Sequence, residues 1–287
     1  MIVAKRLAAQ AGIPLTDVDE EGFPRGYGRS SQAVIIPSFL AAYSGSSVDH
    51  ISLNPIKKTP LPNWNLKYTG LMNIKSIKKI FNRFSLTHAY RSSYTINNFQ
   101  TNLDYDHSLP NLVDDGGNFI PSILYSNLNL VEQFNPLLRI DLELKNSFKF
   151  LAELKKDRAL SLSLDNNLLT ESSGEEYIIG LGYRIKDLKF KTRIGGNRTT
   201  LKGDLNLKAD LSYRNNITVL RNLEINDNQV TAGQTLWSIK LTADYKLSRN
   251  LTSQFFYDHN FSKFAISTAF PQTSIRSGIS IRYNFGN

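Results

Sequence analysis

The chain has 287 residues, 41% of them apolar, with 34 Lys+Arg against 25 Asp+Glu, for a formal net charge of +9. No run of ~18 apolar residues is present, which excludes a spanning helix. Cys is absent, which excludes disulfides, thiolate metal sites and cysteine nucleophiles together.

Residues 1–62 read as a non-barrel segment with short helices and a Pro/Gly-rich connector. A helical start over 2–11 stops at Gly12 and Pro14. The turn-rich stretch Gly22-Phe23-Pro24-Arg25-Gly26-Tyr27-Gly28 follows. Ser31 to Tyr43 then reads as a short buried helix broken or started at Pro37, because proline lacks the N–H that a helix interior needs. The first residues contain neither an apolar core nor a cleavage site, so no signal peptide is expected there. The expectation is a cytoplasmic chain or a piece of a longer secreted one.

The charge concentrates just beyond. Residues 63–100 carry Lys67, Lys75, Lys78, Lys79, Arg83 and Arg91 and no acid, whereas 101–287 carry 22 basic and 20 acidic residues. That distribution is unlike the broad basic face of a nucleic-acid module, and no nucleic-acid partner is expected. Leu71, Ile74, Ile77, Ile80 and Phe81 recur near helical spacing with three lysines between them. A short basic amphipathic helix near 71–82 follows, either lying at an anionic membrane surface or packed on its neighbours.

From Trp64 the period is two. In 201–214, Leu201, Leu205, Leu207, Ala209, Leu211 and Tyr213 share one parity, and Lys202, Asp204, Asn206, Lys208 and Asp210 the other. In 235–247, Trp237, Ile239, Leu241, Ala243, Tyr245 and Leu247 oppose Lys240 and Asp244. Similar runs occur at 138–144, 148–154, 160–164, 177–185 and 275–285, with shorter ones at 64–69, 84–91, 93–99, 217–225 and 251–257. Each is a strand with one apolar and one polar face. The expectation is all-β: ten to twelve consecutive antiparallel strands over 63–287.

A soluble sheet buries its apolar face and a membrane barrel turns it to lipid, so alternation alone fits both. Strand length favours the membrane, since 201–214 and 235–247 exceed the ~5–6 residues usual in soluble strands and suit the ~9–11 a bilayer needs. Trp237 and Tyr245 stand about 27 Å apart along one face, matching two aromatic girdles once strands tilt. On this reading Lys202, Asp204, Asn206, Lys208, Asp210, Lys240 and Asp244 line a pore. Trp64, Tyr177, Tyr213, Trp237, Tyr245, Tyr283 and Phe285 form the girdles. The ending Ile279-Ser280-Ile281-Arg282-Tyr283-Asn284-Phe285 alternates up to a near-terminal aromatic, as outer-membrane barrels commonly do.

Several segments are more specific. They are Gly26-Tyr27-Gly28-Arg29-Ser30-Ser31-Gln32-Ala33-Val34-Ile35-Ile36-Pro37-Ser38-Phe39-Leu40-Ala41-Ala42-Tyr43-Ser44-Gly45, Pro60-Leu61-Pro62-Asn63-Trp64, Tyr68-Thr69-Gly70-Leu71, His88-Ala89-Tyr90-Arg91-Ser92-Ser93-Tyr94, Glu132-Gln133-Phe134-Asn135-Pro136-Leu137 and Gly180-Leu181-Gly182-Tyr183-Arg184. In that order they resemble the C-terminal part of the SprA/Sov family, outer-membrane translocons of type IX secretion that also serve gliding motility. The resemblance implies the closing arc of a very large antiparallel transmembrane β-barrel in the cell outer membrane. It implies folded cargo with a C-terminal sorting domain passing through a pore with a lateral opening, a periplasmic plug and a partner outer-membrane barrel. The alternatives are a self-contained porin-like channel, an outer-membrane lipase, or a soluble β-sandwich binding module.

Other chemistry finds little support. Asp17-Val18-Asp19-Glu20-Glu21-Gly22 opens like a calcium loop, but Gly28 stands where a bidentate Glu is required. Asp114-Asp115-Gly116-Gly117-Asn118 reads as a turn. His50, His88, His107 and His259 lack ligand spacing. Asp104, Asp106 and His107, or Asp258, His259 and Asn260, lack an ordered nucleophile beside them. No enzyme activity, cofactor or metal is expected.

Overall fold

A computed structural model describes residues 1–43, 45, 47–56, 61–194, 197–246, 250–266 and 270–285. Ser44, Pro60, Leu247 and the side chain of Leu201, named above, lie outside this description.

The chain opens with helix α1 (Ile2–Gln10) and helix α2 (Gln32–Tyr43). Pro37 sits inside α2 without breaking it. Hydrophobic burial on every side of α2 outweighs the one lost backbone bond: Val34, Ile36, Phe39 and Leu40 are all buried. Arg6 of α1 donates to the carbonyl oxygens of Val48 (2.6 Å) and Ile51 (3.1 Å), tying the first helix to the chain that leaves the second.

Among the described residues, nine strands follow in a single antiparallel meander: β1 (Trp64–Tyr68), β2 (Phe81–Thr101), β3 (Ile123–Leu144), β4 (Phe148–Ser163), β5 (Leu168–Ile194), β6 (Asn197–Asn222), β7 (Asp227–Lys246), β8 (Leu251–Phe264) and β9 (Gln272–Tyr283). Each strand pairs with its sequence neighbour, so the fold is all-β and antiparallel as its periodicity predicts. The count falls below ten to twelve because separate runs fuse. Residues 84–91 and 93–99 belong to β2, 148–154 and 160–163 to β4, and 201–214 and 217–222 to β6, where Asn215-Asn216 continues the ladder instead of turning while 223–225 lie in the next turn. The amphipathic stretch near 71–82 splits at Ile74, whose extended backbone separates a 3₁₀ turn (Gly70–Asn73) from α3 (Lys75–Ile80). Phe81 already belongs to β2.

β5 and β6 are 27 and 26 residues long, far beyond the ~5–6 typical of globular sheets. Their length creates two storeys on one face. Cross-strand partners put Leu138, Ile140 and Leu142 beside Leu154, Ala152 and Phe150, then Tyr177, Ile179 and Leu181, then Tyr213, Leu211 and Ala209. Farther along the same strands, and on the same face, Leu128, Leu130, Leu160, Leu162 and Leu169 form a second apolar block. This block is the core of the described residues. Ile35, Ile36, Phe39, Leu40 and Ala41 of α2 pack directly on it, with Ile51 closing one side. Leu128 and Leu162 are 0% exposed. The N-terminal segment therefore docks on the apolar face of the sheet, on its second storey.

Candidate functional site: a two-faced wall

The two faces of the first storey differ sharply. On one, Ile179 (47% exposed), Leu181, Leu207, Leu211, Ile239 and Leu241 (40%) stand side by side without cover. This band lies between aromatic rows. On the second-storey side, Trp64, Tyr90 and Phe134 stack across β1–β3 at ring spacings of 4.7 and 4.8 Å. Tyr177, Tyr213 and Trp237 continue across β5–β7 at 6.2 and 4.6 Å. On the other side stand Phe148 and its partner Tyr183, then Tyr245 opposite Leu205, then Tyr283 opposite Leu251. Phe285 packs on Tyr283 at 4.8 Å and is 95% exposed. All seven expected girdle aromatics lie on or beside these two rows.

The opposite face is mostly polar, with Leu151, Ile178, Leu236 and Phe256 as apolar members among its charged and hydroxyl side chains. Lys202, Asp204, Asn206, Lys208 and Asp210 alternate away from the apolar residues of β6, and Lys240 and Asp244 face the same way on β7. Lys202 approaches Asp187 at 3.2 Å. Asp204 pairs with Arg184 and accepts the Asp187 N–H at 3.1 Å. Asn206 lies opposite Asp244, which accepts from Gln254 at 2.7 Å. Lys208 sits between Gly182 and Thr242. Asp210, Lys240 and Asp258 alternate in sign across β6–β8, and Arg276 of β9 closes the row on Asp258 at 2.8 Å.

This face also holds an ionic ladder that the sequence reading did not single out. Arg83 reaches Asp141 at 2.7 Å, Arg139 reaches Glu153 at 3.6 Å, and Lys155 reaches Glu176 at 3.3 Å. Arg214 then bridges Glu176 (3.4 Å) and Asp157 (3.2 Å). Exposed pairs are each worth only about 0–1 kcal/mol, so the ladder contributes more to surface character than to stability. It gives a wetted face on which neither sign dominates. Parity was the available signal: these residues share a register with the residues expected to line a pore.

Between the storeys, the apolar face carries its own charged belt. Glu132 pairs with Arg158 and accepts from the Tyr90 hydroxyl at 2.9 Å. Arg158 also donates to the carbonyl oxygen of Tyr43, at the end of α2, at 2.9 Å and lies over the Tyr43 ring. Lys156 meets Glu175 at 2.7 Å in the same belt, and Arg221 meets Glu171 at 2.8 Å farther along, opposite Leu169 and Leu160 of the second storey. The belt interrupts an otherwise apolar parity, legible as Lys156 and Arg158 between Leu154 and Leu160.

The remaining candidates have structural roles. Asp19 accepts the N–H groups of Glu21 and Phe23 at 2.9 and 2.8 Å, forming a turn, and no metal-holding cluster is present among the described residues. Asp114 caps its turn by accepting from Asn118 (2.9 Å). Buried Asn118 in turn accepts from the Gly28 N–H (3.0 Å) and donates to Ser30 (3.0 Å), clamping the N-terminal segment to the β2–β3 loop. His88 contacts the Leu137 carbonyl oxygen at 2.6 Å beside the β3 bulge. Asp258 and His259 are adjacent on β8, so they point to opposite faces.

No family model matches this chain, and no curated protein matches its sequence.

Proposed function

We propose that this chain is part of the wall of an outer-membrane β-barrel, the closing arc of a SprA/Sov-type translocon through which folded proteins are exported. The observation that carries the reading is the uncovered band of Ile179, Leu181, Leu207, Leu211, Ile239 and Leu241 between two aromatic rows. A water-soluble domain rarely leaves so large a contiguous apolar patch. A bilayer requires one, about 25 Å tall and flanked by aromatics. Trp237 and Tyr245 are about 27 Å apart along β7, and a strand tilt of ~40° reduces this to roughly 20 Å of height.

The polar face then lines the pore. Alternating charge keeps the wall hydrated while offering a passing folded protein no extended field of one sign, so transit is passive at this part of the wall. Both sheet edges, β1 and β9, pair on one side only among the described strands, which suits an arc continued by other strands. In bacterial barrels short turns face the periplasm and longer loops the outside. The tight 145–147 connection thus marks the periplasmic end, and the second storey with its docked helices stands outside the bilayer. The family resemblance adds the cargo sorting domain, periplasmic plug and partner barrel as partners.

Spin labels test the lipid-facing assignment. Labels at Leu207 and Leu241 are expected to relax with oxygen rather than a water-soluble nickel complex, and a label at Lys240 to do the reverse. Water-like relaxation at both leucines sinks every membrane reading. The gene upstream separates a translocon, which needs a long strand-rich reading frame there, from a self-contained porin or lipase.

A further inference from the structure

The two ends of the sheet carry opposite charge, and this points to a binding surface that pore formation does not require. At the tight-turn end, the link from β1 to β2 is the 3₁₀ turn and α3, with Lys75, Lys78 and Lys79. The Lys145 N–H donates to the Ile80 carbonyl oxygen at 3.1 Å, bringing the β3–β4 turn and a fourth lysine alongside. Lys186, Lys189 and Lys191 follow on the far end of β5. At the opposite end, the β2–β3 loop carries Asp104, Asp106, Asp114 and Asp115 without a Lys or Arg, and the next two turns carry Asp165 and Glu224.

No residue of α3 or of the 3₁₀ turn is buried. Ile74 is 48% and Ile80 54% exposed, so the turn of helix leaves about half of each apolar side chain uncovered. Ile80 leads directly into Phe81 of β2, whose ring meets Phe84 edge-on 5.6 Å away. None of Lys75, Lys78, Lys79 or Lys145 has a carboxylate within ion-pair distance among the described residues. A short link with half-exposed apolar residues and unneutralised ammonium groups beside them has the composition of an interfacial lipid contact.

We propose that the 3₁₀ turn and α3, with Lys145, form a binding surface for the head groups of anionic phospholipid in the leaflet at the tight-turn end. The proposal rests on the membrane reading above. Its chemistry is electrostatic attraction from ammonium to lipid phosphate, with Ile74 and Ile80 reaching the acyl boundary. Two consequences follow. The lysines fix the height of β2 in the bilayer from one end, as the aromatic rows do along the wall. They also give the short β1 strand a lipid-supported link to β2.

The absence of native cysteine makes the test direct. The full chain carrying a dye on Ser76→Cys is reconstituted in phosphatidylcholine vesicles containing either labelled phosphatidylglycerol or labelled phosphatidylcholine. Energy transfer is expected to favour phosphatidylglycerol. Polybasic segments gain about fivefold per lysine, so the three helix lysines contribute roughly 100-fold at low salt. The preference is expected to collapse in 0.5 M NaCl and in the Lys75→Gln, Lys78→Gln, Lys79→Gln triple variant, and to return in the corresponding Arg triple. Equal transfer to both lipids in the unaltered lysine background overturns the proposal. A parallel probe on Leu241→Cys separates the failures. If it reports lipid while Ser76→Cys shows no preference, only this inference falls. If it reports water, the membrane reading falls and takes the inference with it.

Discussion

The wall reading makes its sharpest quantitative claim at Leu241. This residue lies midway between Trp237 and Tyr245 on β7, 40% exposed, with Ala209 and Tyr257 as its cross-strand partners. If the face is bathed in water, Leu241→Arg changes an exposed strand position and shifts stability by no more than about 0.5 kcal/mol. If the face meets lipid, the position is at the bilayer midplane, where arginine costs about 2–4 kcal/mol. That cost amounts to a roughly 30- to 1,000-fold change in the folded-to-unfolded ratio. Val230→Arg provides the matched control. Val230 is an exposed apolar residue on the same strand (49%), but beyond the aromatic row, where arginine is expected to cost less than about 0.5 kcal/mol. Denaturant titrations of the full chain in phosphatidylcholine vesicles, followed by Trp64 and Trp237 fluorescence, measure both. Equal and small effects at Leu241 and Val230 refute the assignment of the band to lipid.

Three further outcomes concern the second storey. Leu130→Ala removes a side chain only 2% exposed beneath α2 and is expected to cost about 2–5 kcal/mol, read as faster proteolytic cleavage within α2. Gly26→Ala is expected to release the N-terminal segment from the β2–β3 loop. Its φ of 79° is left-handed, and an added Cβ would meet the Phe119 ring at 2.1 Å. Hydrogen exchange should rise at Phe119, whose N–H donates to the Gly26 carbonyl oxygen at 2.9 Å. Burial pushes the Tyr27 phenol above its ordinary value of 10.0. The unfolded chain therefore loses this proton first, so the contribution of Tyr27 to stability is intact below pH 10 and declines as pH rises toward the higher folded value. Loss of the high-pH fall in stability in Tyr27→Phe checks it, and an unchanged fall contradicts it.

The strands were legible because period-two alternation depends on local sequence alone. Leu205 through Tyr213 states both faces without reference to any neighbour. Strand ends were harder. Asn215-Asn216 has turn chemistry, yet Gly174, Glu175, Gln234 and Thr235 satisfy it from both sides, and tertiary pairing overrides the local preference. The partners of the polar face were also out of reach. Arg214 meets Asp157 and Glu176 only because register aligns three strands, and register is a property of the sheet. The docking site of α2 was hidden for a similar reason. Leu160 and Leu162 have the same parity as Phe148 through Leu154, so alternation assigns both blocks one environment.

That shared parity bears on where lipid stops. A bilayer-spanning strand needs only ~9–11 residues, and β6 has 26. The surplus cannot keep an apolar face exposed to water, and on β3–β5 it does not: α2 covers Leu128, Leu130, Leu160, Leu162 and Leu169. Protein thus performs on the second storey the role that lipid is proposed to perform on the first. The boundary between them is the belt where Arg158 pairs with Glu132 and takes the Tyr43 carbonyl oxygen from the end of α2. Ion pairs there tolerate the polar head-group zone and would be costly a few residues deeper. On the proposed reading, one parity of β4 records three environments in sequence: lipid at Phe148–Leu154, head groups at Lys156–Arg158, and a folded protein core at Leu160–Leu162.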